Sequence, residues 1–224
     1  MSRSKVETIE RRGPYDVVHR QELLGNGFGL VVWQDIWKKN GKKGIWDWIE
    51  LEPAVLVFPV DSQGKLHVIR EFFYPLKQYM YCVPGGSIDQ GELPSEAAVR
   101  EALEETGLSI RPDSLTDLGH FFEIPGRALN QTTLILAEAT GRSARTKTDE
   151  VIDTVKLPLN VAIEMTLQNK IQIPTVATGL LLIYILMQRS KLPQISQTGS
   201  VLTPRGRSIT YIEGWRPERR TSGI

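Results

Sequence analysis

Glu92, Glu96, Glu101, Glu104 and Glu105 crowd one stretch, GGSIDQGELPSEAAVREALEETGL, residues 85–108. No other feature restricts the fold so tightly. Like charges at helical spacing destabilise a helix unless something compensates them. Yet the helix signals are strong. Pro94 suits a first turn, good helix formers fill PSEAAVREALEET, and Gly107 followed by Leu108 suits a left-handed C-terminal cap with its apolar contact. At about 100° per residue, Glu101, Glu104 and Glu105 fall within an arc of about 100°. Ala98, Val99 and Ala102 lie to one side and offer a sheet a face of small residues. The expected helix therefore packs on alanines and turns three carboxylates outward. One use of such a run is a solvated acidic face. The other is a seat for a hard divalent cation such as Mg²⁺, which takes several carboxylate oxygens. Gly85 and Gly86 would let backbone carbonyls approach without side-chain obstruction. Glu92 and Arg100 are spaced to pair across the loop and pin it to the helix.

The rest of the chain supplies a frame. AVLVFPV, residues 54–60, is a continuous apolar run that fits a strand covered on both faces. KLHVIREFFYP, LGHFFEI and TTLILAEAT read as further strands, the last two split by a Pro125-Gly126 loop. In FGLVVWQDIWKKNGKKGIWDWIEL two β-branched and aromatic runs flank Asn40-Gly41, a strong hairpin signal. PLNVAIEMTLQNK and PTVATGLLLIYILMQRS read as helices, the second opened by Pro174. Residues 1 to 25 are polar and weakly patterned and are expected to be a loose lead-in. GRSARTKTDE is expected to be a polar loop. The predicted class is α/β, a mixed sheet between helices. The expected organisation is an N-terminal lead-in and hairpin subdomain over 1–52, a main domain over 53–190 and a flexible tail over 191–224.

Composition mainly excludes. A net charge of +1 gives no reason to expect nucleic acid or a membrane surface as partner. The single cysteine, Cys82, rules out an intrachain disulfide and suits a reducing, cytoplasmic setting. The N-terminal MSRSKVETIERRGP lacks the apolar core of a secretory signal, and VATGLLLIYILM is too short to span a bilayer. No Ser/His/Asp arrangement is visible, and His19, His67 and His120 are scattered, so none suggests a zinc site.

Taken together, Gly86, Glu92, Arg100-Glu101, Glu104-Glu105 and Gly107-Leu108 stand at the spacing of the Nudix box, with Ala102 at its aliphatic position. The chain resembles the Nudix hydrolases over residues 86–108. That resemblance implies an α/β/α sandwich and hydrolysis of a nucleoside diphosphate linked to another group. It implies metal ligands at Glu101, Glu104 and Glu105, with a backbone carbonyl of Gly85 or Gly86, for Mg²⁺ or Mn²⁺. Glu92 and Arg100 would organise the motif, and Glu104 and Glu105 would serve the chemistry directly.

Outside the box, residues 25 to 187 look most like the ADP-ribose and ADP-sugar pyrophosphatases, through the hairpin, YPL, Pro125-Gly126 and TDEVIDTVKLPL. That branch implies a homodimer built partly by the hairpin subdomain, with Phe28 and Trp46 where aromatics hold the base. Trp33, Trp37 and Trp48 read instead as cross-strand pairs or a dimer seam. Glu150 falls where the branch often carries a water-activating glutamate, though an exposed loop acid would look the same in sequence. Phe73 stands where an arginine for the substrate phosphates is common, so Arg70 or Arg127 is expected to supply that charge. Ile124, Leu129 and Asn130 also depart from the branch pattern. These departures bear on the substrate and leave hydrolysis untouched. The other readings of the box are hydrolysis of a dinucleotide or nucleotide cofactor, and a nucleotide sensor without turnover. In the tail, GWRPERR, residues 214–220, combines Trp215 with arginines and reads most simply as a terminal segment without fixed structure.

Overall fold

A computed structural model describes residues 8–25, 27, 29–142 and 151–189. The strands are β1 (Glu10–Arg12), β2 (Tyr15–Gly25), β3 (Leu30–Lys39), β4 (Lys42–Leu51), β5 (Ala54–Asp61), β6 (Lys65–Phe73), β7 (Gln78–Cys82), β8 (Gly85–Ser87), β9 (Leu108–Ile110), β10 (Thr116–Phe121), β11 (Ala128–Leu129), β12 (Thr132–Arg142) and β13 (Val151–Pro158). The helices are α1 (Pro94–Thr106), α2 (Leu159–Leu167) and α3 (Pro174–Arg189). Contacts divide the chain into Met1–Met187 and Gln188–Ile224. All these elements lie in the first unit apart from Gln188 and Arg189 of α3. No described helix is long and apolar enough to cross a membrane.

Two sheets organise the first unit. The smaller runs β1-β2-β3-β4-β11. The larger has the path β10-β12-β5-β6-β13, with β7 on β6, β8 on β5 and β9 on β12. β12 runs parallel to β5 while β10, β6 and β13 pair antiparallel, so this sheet is mixed as expected. β5 shows why its sequence is apolar throughout. Val55 and Val57 pack with Ala97, Ala98 and Ala102 of α1 on one face, and Phe58 packs with Val176, Leu180 and Ile183 of α3 on the other. Helices on both faces make the α/β/α sandwich.

The hairpin forms as its turn dipeptide dictates. Asn40 and Gly41 both adopt positive φ, 49° and 76°, and β3 pairs with β4 from Lys39↔Lys42 to Leu30↔Leu51. Residues 10–25 correct the expected loose lead-in, because they form β1 and β2, and β2 extends the hairpin into a meander. Two forces outweigh the polar composition. Tyr15 and Val17 alternate onto one face, with Val17 fully buried. Arg20 reaches across to buried Asp35, Nε to Oδ1 2.6 Å and Nη2 to Oδ2 3.0 Å, and its Nη2 also donates to Glu10 at 2.6 Å. Such a bidentate, partly desolvated pair is stronger than an exposed ion pair. β13 too was not legible in the sequence, its polar residues alternating with Val155 and Leu157 along β6.

Gly179 measures how closely α3 sits on the sheet. A Cβ there would lie 2.1 Å from Cζ of Phe58, a fully buried ring. Gly179→Ala gains about 1 kcal/mol of helix propensity but overpacks a site where such insertions cost about 1–3 kcal/mol. We expect a net destabilisation of about 1 kcal/mol in urea unfolding. Unchanged or higher stability would show that this contact is loose.

Candidate active site

The acidic helix is fixed at both ends before any ligand is considered. Pro94 opens it, and the Glu96 carboxylate accepts the backbone N–H of Leu93 at 2.9 Å. Gly107 closes it with φ 69°, its N–H donating to Leu103 O at 2.8 Å. Ala97, Ala98 and Ala102 are fully buried against β5, β9 and β12, so the helix lies close on the sheet.

That close approach changes the expected disposition of the carboxylates. Glu101 does not point outward. It is 8% exposed and lies over the backbone of β8, where a Cβ on Gly86 would stand 2.4 Å from its Oε1. Gly86 is therefore a glycine because a carboxylate occupies the space of its side chain. Glu105 Oε2 accepts the N–H of Gly85 at 2.9 Å. Gly85 also has no room, since a Cβ would meet Val55 O at 2.3 Å. Glu104 is more exposed than Glu101.

Arg100 ties these groups together. Its Nε and Nη2 donate to the two Glu92 oxygens at 2.9 and 2.8 Å, its Nη1 to Glu101 Oε1 at 2.7 Å, and its Nη2 to Ser87 O at 2.9 Å. Glu104 Oε2 lies 3.6 Å from the same Nη1. The expected Glu92–Arg100 pair is thus a bidentate fork that also captures the loop before the helix. The hydrogen bonds from Arg100, then the N–H of Asp89, hold the Glu92 carboxyl down at about 2. Arg100 is correspondingly raised, chiefly by Glu92. Burial pushes Glu101 above the ordinary carboxylate range against the pull of Arg100, and the charges of Glu104 and Glu92 push the same way.

These residues fit a hard divalent cation. Glu101 and Glu105 both rest on the Gly85-Gly86 backbone, Glu104 is one helical turn from Glu101, and their mutual repulsion is what a cation would relieve. Among the described residues no three His, Cys, Asp or Glu side chains are already gathered as a cage. Arg100 and the Gly85 N–H hold the three glutamates in their present arrangement.

A separate recess of about 540 Å³ lies between the smaller sheet and the loop after β10. Tyr15, Trp37, Trp46 and Trp48 line the sheet side, and Phe122 and Pro125 to Leu129 the other. Trp46, 42% exposed, meets Tyr15 edge-on at 6.2 Å, and Arg12 lies 4.5 Å over the Trp48 ring. Of the expected substrate contacts, Trp46 and Arg127 come together here. Arg70 does not line the recess and stacks on Tyr79 at 4.9 Å. Phe73 packs against the main core. Phe28 and Glu150 lie outside the described residues, as does Trp215. Trp33 and Trp48 form the cross-strand pair expected of them, stacked at 6.1 Å. Trp37 and Trp48 also wall the recess, which the sequence reading missed together with Tyr15 and Arg12. The available signal was the Tyr15, Val17 alternation.

The Glu92 geometry predicts an acid response. A depressed carboxyl contributes stability that is fully present above its ordinary value of 4.5 and is lost as pH falls through about 2. Glu92→Gln should therefore flatten the fall in stability between pH 5 and pH 2 relative to the parent, read by chemical denaturation. Parallel curves for the two proteins would contradict the pairing.

Similarity to known proteins agrees with this geometry. The NUDIX domain profile matches residues 50–176, more than half the chain. The chain is 28% identical over 152 residues to an ADP-ribose pyrophosphatase of Bacillus subtilis (strain 168), covering 66% of this chain and 80% of that one. It is 26% identical over 140 residues to a methanol dehydrogenase activator of Bacillus methanolicus, covering 61% and 75%. It is 32% identical over 117 residues to an ADP-sugar pyrophosphatase of Mus musculus, covering 45% and 52%. A crystal structure of an ADP compounds hydrolase superposes with a TM-score of 0.71 at 19% identity, over 81% of this chain and 98% of that one, which shows a shared fold. The protein belongs to the Nudix family, as a pyrophosphohydrolase on the side of the family that holds the ADP-ribose and ADP-sugar pyrophosphatases.

Proposed function

We propose that the protein hydrolyses the pyrophosphate of a nucleoside diphosphate sugar, ADP-ribose-like, to a nucleoside monophosphate and a sugar phosphate, with Mg²⁺ or Mn²⁺. The observation that carries this reading is the convergence of Glu101 and Glu105 on the Gly85-Gly86 backbone, with Glu104 beside them. In this reading Glu101, Glu104, Glu105 and a carbonyl of Gly85 or Gly86 hold the metal. A divalent cation there supplies charge against the diphosphate oxygens and makes water a better nucleophile. Glu104 and Glu105 sit nearest the chemistry. Glu150 takes the proton of the attacking water.

The nucleoside end occupies the aromatic recess, where stacking on Trp46 contributes about 1–3 kcal/mol, with Phe28 assigned to the same base. Arg127 faces the phosphates, and Arg70 is the second candidate for that charge. Residues 1–52 serve as a subdomain for homodimerisation and base stacking, 53–190 as the catalytic domain and 191–224 as a tail. The single cysteine favours the cytoplasm.

The test is monophosphate release from a panel holding ADP-ribose, ADP-sugars and dinucleotide cofactors, with and without Mg²⁺. ADP-ribose-like compounds should turn over and chelation should stop them. Preferred turnover of a dinucleotide would replace the proposed substrate. Glu105→Gln should lower kcat by at least about a hundredfold while keeping the fold. Trp46→Ala should raise KM more than it changes kcat. An active Glu105→Gln variant would remove that residue from the mechanism.

A further inference from the structure

Glu123 lies outside the Nudix box and is not assigned any role by it. It sits between Phe122, which lines the aromatic recess, and the loop Ile124 to Leu129, most of which forms one wall of that recess. Its carboxylate is turned away, toward the core of the larger sheet. Oε1 accepts from Thr175 Oγ1 at 3.0 Å and from Thr132 Oγ1 at 3.3 Å. Both threonines are 4% exposed, so their hydroxyls have no water to fall back on. Thr175 stands in the first turn of α3.

Thr132 leads to the metal side of the molecule. It begins β12 opposite Ala54 of β5, and Ala54 pairs on its other side with Ser87 of β8, next to Gly86. Glu123 therefore ties the loop that walls the recess to β12 and α3, and β12 is joined through β5 to β8 beside Gly86. The far end of its loop is tied to the other sheet: Arg127 O accepts the N–H of Ile49 at 2.9 Å, and β11 pairs with β4. The loop is held at one end by the recess sheet and at the other by Glu123.

We infer that Glu123 is a positioning residue that fixes the recess wall relative to the metal cleft, and so sets the span between base and diphosphate that a substrate must match. This rests on the reading of the recess as the nucleoside seat. The charge of Glu123 is not what acts. Oε1 as a double acceptor is, and a glutamine amide oxygen can do the same.

The test compares Glu123→Ala, Glu123→Gln and Thr175→Val by ADP-ribose hydrolysis with Mg²⁺ and by amide hydrogen exchange over residues 124–130. In Glu123→Ala, KM should rise on the order of tenfold with kcat within about twofold, because misplacing a binding wall weakens binding before chemistry. Exchange of the loop amides should accelerate in the same variant. Glu123→Gln should match the parent in both, and Thr175→Val, which removes one donor, should fall between. Should Glu123→Ala fail to fold, the graded pair of Glu123→Gln and Thr175→Val decides. Loop exchange that is unchanged in Glu123→Ala or Thr175→Val would overturn the inference. So would faster exchange without a KM change, since the contact would then be merely structural. A parent protein that hydrolyses no diphosphate would instead sink the substrate reading, and hydrogen exchange would still report whether Glu123 holds the loop.

Discussion

One guanidinium makes the acidic helix possible. Arg100 bonds Glu92 and Glu101, lies beside Glu104 and donates to the backbone at Ser87. It offsets the repulsion that the sequence would otherwise build into one turn. It also joins the helix to the loop and to β8, so the position of each carboxylate depends on it. A lysine could not replace it, because a point charge lacks the fork that grips two oxygens of Glu92 while reaching Glu101.

Around that centre, small residues allow close approach. The alanines of α1 let its backbone sit low on β5, and the missing side chain of Gly86 leaves room for the Glu101 carboxylate. Burial then raises the cost of charge on Glu101. A cation bound there would lower that cost. The aromatic recess is built differently, from aromatics of a second sheet that faces a loop of the first. The recess and the carboxylate helix sit on separate elements.

The sequence made the centre legible because its demands are local. Helix caps, paired charges and a glycine under a carboxylate all fall between residues 85 and 108. β5 was legible for a similar reason, since burial on both faces leaves a continuous apolar run. What it hid depends on distant partners. The strand at Tyr15 to Gly25 reads as polar until Asp35 is placed opposite Arg20. Glu123 falls in the run LGHFFEI, which reads as strand, and nothing marks it until β12 and α3 bring Thr132 and Thr175 beneath it. Helical phase turns Glu101 outward whereas the structure buries it, because phase gives direction around an axis and not the depth at which the helix packs.

The account stands on the carboxylates of α1 seating a divalent cation. Its most direct measurement is Mn²⁺ binding followed by electron paramagnetic resonance, with the α,β-methylene analogue of ADP-ribose present. The parent protein should bind Mn²⁺, and a variant carrying Glu101→Gln, Glu104→Gln and Glu105→Gln should lose that binding while keeping its circular dichroism spectrum. Undiminished Mn²⁺ binding in the folded triple variant would contradict the account.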